Sequence, residues 1–291
     1  MRETPLVDDR EWPNLFVVGA GRAGTTSLWS YLGQHPQIFM SKLKEPHFFS
    51  RYTGAQQRHV HDEAEYKSLF RPGRGRPFRG EASPSYLWHP DVADAIGRVQ
   101  PDSHIVISLR DPVARAYSGY RLRRRNGIDR QPFVDTLRAG LSLSDAVRPL
   151  YFRVGQYLGQ VTAYLQTFPG RVHVLIYEEL AQDTRGEVDR LFSFLGVEPV
   201  AGRLDLTPLK RGAAPRNALA RTLYSPRLRA AARAVVPPQF HARIENVALS
   251  REHPDELEPE ARQILEEFFA PEREPLEELL GRELPWPKAR A

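Results

Sequence analysis

One stretch near the start of the chain limits the fold more than any other. The apolar run NLFVVG (14–19) leads directly into AGRAGTTSLWSYL (20–32). A strand that ends in a glycine-rich turn and a helix brings backbone N–H groups and the positive end of the helix dipole to one point. The pattern therefore predicts a site for phosphate or sulfate. The residues that would form this site are Gly21, Arg22, Ala23, Gly24, Thr25, Thr26 and Ser27.

The same stretch departs from the loop that binds nucleoside triphosphates. The spacing from Gly19 to Gly24 matches G-x-x-x-x-G-K-[ST], but Thr25 stands where that pattern requires Lys. The cation of the loop is Arg22, two residues before Gly24, which places its charge over the leaving end of a bound phosphate. A P-loop nucleotide kinase is therefore kept only as an alternative.

Composition favours one large domain. A chain of 291 residues with 41% hydrophobic residues can bury a full core. We expect a single domain over 1–291, with an α/β donor-binding core at 14–200 and a mostly helical part with a basic loop at 201–291. The chain has no Cys, which excludes disulfides, thiolate nucleophiles and Cys-ligated metals.

Charge and hydropathy restrict location and ligands. The first residues carry acids and no apolar leader segment, and no stretch reaches the roughly 18 apolar residues of a membrane span. We expect a cytoplasmic protein without a membrane span. The formal net charge of +5 suits an anionic ligand.

Strand and helix patterns alternate over the first two thirds of the chain. This order predicts an α/β fold in three layers, α/β/α, with a P-loop-like central parallel sheet flanked by helices. Residues 51–79 read as a surface loop with a possible helix at 63–70, and Trp286 is expected to pack back onto the body. Strands are predicted at 16–19, 37–40, 104–109 and 172–177, and helices at 25–34, 91–100, from 112, and at 156–168, 183–195 and 258–269, with a short one before Gly281.

Three further segments carry a family resemblance. They are SKLKEPHFF (41–49), GEASPSYL (80–87) and ISLRDPVARAYSGY (107–120), followed by the weaker YEEL, FLGV and LLGRELPW. Together with GRAGTTSL they resemble the sulfotransferases that use 3′-phosphoadenosine 5′-phosphosulfate (PAPS). The resemblance is greatest to the heparan-sulfate-type branch, the N- and 3-O-sulfotransferases. It implies the sulfotransferase fold, PAPS as donor, adenosine 3′,5′-bisphosphate (PAP) as product, and no metal.

The resemblance also implies roles for donor-binding residues. The loop amides, with Thr25 and Thr26, would hold the 5′-phosphosulfate, and Arg22 would stabilise charge on the bridging oxygen, where the family usually has Lys. Arg110 and Ser118 match the family's clamp for the 3′-phosphate. The family's late Lys-Gly-Arg loop is matched loosely by Arg211 and Gly212.

A base is needed to take the proton of the attacking hydroxyl. The resemblance favours Glu81, in an E-x-[ST]-P motif that has Ala82 where the family usually has Lys. The alternative for Glu81 is a surface carboxylate bonded to the turn after it. His47 is the rival base. Lys44 is placed to reach the sulfate or the acceptor, with pairing to Glu45 as the alternative.

The predicted function is sulfuryl transfer from PAPS to a hydroxyl by in-line displacement. The acceptor would be a carbohydrate, a lipid or a small metabolite, and the sequence does not choose among them. A non-enzymatic polyanion-binding protein that uses RLRRR (121–125) is the other alternative, although no aromatic residues of a nucleic-acid platform are interleaved there. We expect no nucleic-acid partner. The Arg, Ala and Pro bias favours a bacterial source, and the oligomeric state is not readable.

Overall fold

The structure, a computed structural model, describes residues 11–50, 59–145, 147–209 and 256–287, and the backbone of 213–215 and 249–251. The chain divides into two compact units, of which the first comprises 1–207 and 258–291 and the second 208–257. In the second unit the strands Ala213–Pro215 and Leu249–Arg251 pair antiparallel. The single domain over 1–291 stays a prediction.

The first unit is built on five parallel strands, which are β1 (Leu15–Gly19), β2 (Ile38–Met40), β3 (Phe78–Ala82), β4 (His104–Leu109) and β5 (Val172–Ile176). Their order across the sheet is β2-β3-β1-β4-β5. All five residues of β1 are buried, as expected of a central strand covered on both faces. The predicted central parallel sheet is confirmed.

Helices cover both faces of this sheet. Three of them had no sequence prediction, namely Phe133–Leu141, Leu150–Arg153 and Tyr177–Gln182. The helices are α1 (Thr25–Gly33), α2 (Glu63–Ser68), α3 (Val92–Val99), α4 (Pro112–Arg125), α5 (Phe133–Leu141), α6 (Leu150–Arg153), α7 (Tyr157–Thr167), α8 (Tyr177–Gln182), α9 (Thr184–Phe194) and α10 (Pro259–Leu280).

Alternation along β1 separates the two cores. Phe16 and Val18 pack with α3 and α7 on one face of the sheet. Leu15 and Val17 pack with α1 and α9 on the other. Successive side chains of a strand point to opposite faces, so a wholly apolar strand serves both cores at once. The three-layer α/β/α prediction is confirmed.

Two local predictions need correction. Of the predicted surface loop at 51–79, the structure describes residues 59–79. This part is not a surface loop, because Tyr66 and Phe70 are fully buried against Trp12. The predicted break between two C-terminal helices is wrong, since α10 runs through Pro271 and Pro275 to end at Gly281 with φ 64°. The helix continues past its prolines with Phe269 and Leu276 buried in the core on either side of Pro271. Trp286 packs back as predicted, with Nε1 donating to Glu178 Oε2 at 3.0 Å.

Gly19 at the end of β1 offers a direct test of this packing. A Cβ at Gly19 would lie 2.5 Å from Leu87 Cβ. We expect Gly19→Ala to destabilise the protein by about 1–3 kcal/mol through overpacking. Gly21→Ala is the control, because its Cβ would lie 3.9 Å from Pro84, an ordinary contact. Thermal unfolding compares them, and equal melting temperatures would contradict the expected clash.

Candidate active site

The sequence motifs meet at the carboxyl end of the sheet, where β1, β3 and β4 end. From β1 the chain goes to β2 on one side, and from β3 it crosses to β4 on the other. Ligands of open α/β sheets gather at such a switch point, outside the carboxyl ends of the strands. Glu45 N donates to Ala82 O at 3.1 Å and Leu87 N to Val18 O at 2.8 Å. The segments 41–49 and 80–87 therefore run along this end beside the loop after β1.

The loop between β1 and α1 is fixed to β4 by two hydrogen bonds. Ala20 N donates to Ser108 O at 2.7 Å, and Ser108 Oγ donates to Ala23 O at 2.6 Å. Gly24 is the N-cap of α1, has φ 82°, and supplies no side-chain cap. A Cβ there would lie 3.1 Å from the Tyr177 ring. The loop thus aims the start of α1 outward without a capping side chain, a geometry suited to an anion.

Arg22, Ser118 and Arg110 lie together beside this loop. Arg22 Nε donates to Ser118 Oγ at 3.0 Å, and Arg110 Nη1 donates to Arg22 O at 3.0 Å. The Arg110 guanidinium lies 4.7 Å from the centroid of the Tyr177 ring. The structure therefore brings Arg22, which was predicted to contact the 5′-phosphosulfate, together with Arg110 and Ser118, which were predicted to contact the 3′-phosphate.

Positive charge accumulates around Arg22. Burial, then the charges of Arg125, Arg110 and Arg121, lower the pKa of Arg22 to about 10, while Tyr177 acts in the opposite direction. Each neighbouring guanidinium disfavours the charged form of Arg22. Such a cluster favours a ligand with several negative charges, which would relieve this repulsion.

Lys44, Glu45 and His47 form a second cluster on the segment after β2. Lys44 Nζ lies 2.5 Å from Glu45 Oε1, and His47 Nε2 lies 3.6 Å from Glu45 Oε2. Burial acts to raise the pKa of Glu45, but the nearby His47 and Lys44 lower it to about 2. The Glu45 side chain is 21% exposed and that of His47 3%. Glu45 is therefore an ionised carboxylate within reach of a ligand.

Backbone strain marks both clusters. Among the described residues, the non-glycine positions with φ in the left-handed region are Arg22 (75°), Glu45 (62°) and His47 (53°). A side chain in this conformation costs about 1–2 kcal/mol, so it persists only where the surrounding structure imposes it. Arg22 and His47 belong to the predicted site, and Glu45 lies between the predicted Lys44 and His47, which supports a functional reason for the strain.

Glu81 lies deeper than expected. Its side chain is fully buried and accepts hydrogen bonds from Tyr66 Oη (2.6 Å), Tyr86 Oη (2.8 Å) and Ser83 Oγ (2.5 Å). Burial raises the pKa of Glu81, and these three bonds act against that rise. The surface-carboxylate alternative is wrong, although the predicted bond to the turn, from Ser83, is present. An acceptor hydroxyl would have to reach a carboxylate that is fully buried and already accepts three hydrogen bonds.

The remaining predicted residues divide into described and undescribed ones. Thr25 and Ser27 are buried in the first turn of α1, and Thr26 is half-buried. Arg211 and Gly212 lie outside the described residues. Sequence reasoning missed two contributors, Tyr66 under Glu81 and Glu45 itself, which was treated only as a partner of Lys44. The signal for Glu45 was its place inside K-E-P-H-F-F.

Within the described part of the chain, no three His, Asp or Glu side chains are grouped to hold a metal ion. No described helix has the length and apolarity to cross a membrane.

Residues 39–201, more than half of the chain, match the model of the sulfotransferase family. The chain belongs to the sulfotransferase family. The match includes KEPHFF, GEASPSYL and RDPVARAYS but begins after the loop at 19–27.

Two kinds of relative support this assignment. Human heparan sulfate glucosamine 3-O-sulfotransferase 6 is 29% identical over 197 residues, covering 66% of this sulfotransferase and 54% of the relative. The chain thus spans about half the length of the curated relatives it matches. A sulfotransferase crystal structure from Alicyclobacillus acidocaldarius is 30% identical, with a TM-score of 0.69, covering 94% of this chain and 97% of that one.

A third comparison concerns the fold alone. A mouse sulfotransferase complexed with PAP is 16% identical with a TM-score of 0.53, covering 90% of this chain and 84% of that one. The predicted sulfotransferase fold is confirmed by these structures.

Proposed function

We propose that this protein transfers the sulfuryl group of PAPS to an acceptor hydroxyl by in-line displacement. The observation that carries the proposal is the meeting of Arg22, Arg110 and Ser118 beside the uncapped start of α1. These groups offer hydrogen-bond donors and positive charge to two separate anionic groups, as PAPS requires.

The assignment of PAPS as donor rests on two groups of residues in this cluster. The loop amides and Arg22 suit the 5′-phosphosulfate, and Arg110 with Ser118 suits the 3′-phosphate. A nucleotide kinase would need Lys in place of Thr25. It would also need an acidic Mg²⁺ ligand at the end of β4, where this chain has Arg110. The kinase alternative is therefore not favoured.

We assign the base to Glu45 in preference to Glu81. Glu45 is partly exposed and ionised, and it lies beside a lysine that a transferring sulfuryl group can engage. A carboxylate with a pKa of about 2 is a weak base. When Lys44 turns to the sulfuryl oxygens, its hold on Glu45 weakens and the carboxylate becomes more basic. Glu81 stays a prediction, and His47 is placed to orient Glu45.

The proposed step moves one sulfuryl group and one proton. The acceptor oxygen forms a bond to sulfur while the bond from sulfur to the bridging oxygen breaks, and that electron pair stays on the phosphate of PAP. Arg22 and the loop amides stabilise the charge that develops there. Glu45 takes the acceptor proton. Positioning and charge stabilisation supply the catalysis, without a covalent enzyme intermediate.

The acceptor is proposed only as a class. The human relative is named for heparan sulfate glucosamine, a carbohydrate acceptor, whereas this chain matches about half of that protein. We propose a hydroxyl of a carbohydrate, a lipid or a small metabolite. The cytoplasmic location stays a prediction.

Calorimetry of nucleotide binding tests the donor assignment. Wild-type protein is expected to bind PAP in preference to ADP and AMP, and Arg110→Ala is expected to lose roughly 10-fold or more of the PAP affinity, because a charge-assisted bidentate contact contributes about 1.5–3 kcal/mol. Arg171→Ala is the control, since Arg171 pairs with the exposed Asp102 at the opposite end of the sheet. Equal binding of ADP and PAP by the wild type would contradict the assignment. Binding of no nucleotide, with a salt-dependent affinity for polyanions, would favour the polyanion-binding alternative.

A further inference from the structure

The basic run after Ser118 is not used by the function proposed so far. RLRRR (121–125) forms the last turns of α4, and a run of arginines on a helix is commonly a solvated face. The contacts of Arg123 and Arg124, and the helix positions of Arg121 and Arg125, divide the run into two groups, of which the second shares a helix face with Ser118.

Arg123 and Arg124 are engaged away from that site. Arg123 forms an ion pair with Asp129, with Nη2 3.0 Å from Oδ1. Arg124 Nη1 lies 2.5 Å from Tyr120 Oη. The charges that act most strongly on Arg22 include neither residue.

Arg121 and Arg125 share a helix face with Ser118. Residues three, four and seven apart lie on one side of an α-helix, so positions 118, 121 and 125 form one row. Long side chains of a helix lean toward its N-terminus, which directs Arg125 back along the row toward Ser118. Ser118 is the residue that Arg22 contacts. Arg125 and Arg121 both act on the charge of Arg22, Arg125 more strongly than Arg110 does.

We propose that Arg125, backed by Arg121, is a further donor-binding residue that contacts an anionic group of the bound nucleotide beside Arg22 and Ser118. This inference rests on the proposed PAPS-dependent function. The guanidinium fork suits phosphate or sulfuryl oxygens with two hydrogen bonds. In the unliganded protein Arg125 repels Arg22, whereas in the complex both cations face the same anion, so binding turns a repulsion into a shared contact.

The test is calorimetry of PAP with Arg125→Ala, Arg125→Lys and Arg123→Ala. Arg125→Ala is expected to weaken PAP binding by about 5- to 50-fold, with part of the loss restored in Arg125→Lys, as for a charge-assisted hydrogen bond. Arg123→Ala is the matched control from the opposite side of the same helix and is expected to change the affinity less than about two-fold. The melting temperature of unliganded Arg125→Ala is measured alongside, so that a loss of PAP affinity is separated from a loss of folded protein.

A second nucleotide locates the contact. If Arg125 contacts the 3′-phosphate, Arg125→Ala leaves the affinity for AMP unchanged. If Arg125 contacts the 5′-phosphate, Arg125→Ala lowers the affinities for AMP and PAP alike. Both results support the proposal. Unchanged PAP affinity in Arg125→Ala, with wild-type protein binding PAP, would overturn it and leave the PAPS assignment intact. Failure of the wild type to bind PAP would instead reject the function on which the inference rests.

Discussion

Glu45→Gln is expected to lower kcat by about 10²- to 10⁴-fold while PAP affinity stays within about two-fold, because the substitution removes a base and leaves the donor contacts in place. Gln matches the size of Glu and keeps a carbonyl oxygen for Lys44. The loss should be smaller with a phenol as acceptor than with an aliphatic alcohol, since a phenol gives up its proton more readily. Turnover is measured as PAPS-dependent formation of PAP, with acceptors found by screening sugar and lipid alcohols.

Glu81→Gln is the matched comparison and should behave differently. Tyr66 and Tyr86 both donate to Oε1 of Glu81, and Ser83 donates to Oε2. Gln offers one carbonyl oxygen, so one hydroxyl must find another arrangement, at a cost of about 1–3 kcal/mol in the free energy of unfolding. We expect a lower melting temperature and a kcat of the folded enzyme within about tenfold of wild type. A large loss of kcat in Glu81→Gln with an unchanged melting temperature, and an active Glu45→Gln, would make Glu81 the base.

The difference between these two carboxylates could not be read from the sequence. Glu81 is the register partner of Phe16, so both side chains point to the face of the sheet covered by α3 and α7. A shift of one residue in that pairing would turn Glu81 to the other face. The register of β3 and the face to which Glu81 points are set by the whole sheet. The E-x-[ST]-P motif and the glycine before it indicate only that a carboxylate lies near the end of a strand.

The donor side was more accessible to sequence reasoning because its geometry is local. The residues from Gly19 to Ser27 form strand, loop and helix start in one short segment. Arg110 follows β4 directly, and Ser118 lies two turns into the helix after it. In contrast, Tyr66 reaches Glu81 from a helix that shares no motif with it. Such a contact arises from packing of a weakly patterned segment, and single-sequence patterns carry little information about packing.

Arg22 is the residue whose removal should most directly test transition-state stabilisation. We expect Arg22→Ala to lower kcat by about 10²- to 10³-fold, the usual effect of removing one group that stabilises developing negative charge. Arg22→Lys keeps the charge and places the family's usual residue in the loop, so its kcat should stay within about tenfold of wild type. Both variants retain a Cβ at the left-handed position with φ 75°, and the backbone strain is therefore the same in the pair.

The unliganded stability of the same variants separates catalysis from folding. Burial and three neighbouring guanidiniums oppose the charge of Arg22, so its removal relieves repulsion even though the bond to Ser118 is lost. We expect the melting temperature of Arg22→Ala without ligand to be no lower than that of the wild type. We expect PAP to raise the melting temperature of Arg22→Ala by less than that of the wild type, because the stabilisation by a ligand falls as its affinity falls. An Arg22→Ala enzyme with full kcat would show that the loop amides alone stabilise the leaving phosphate, and equal losses in Arg22→Ala and Arg22→Lys would show that the guanidinium fork matters more than its charge.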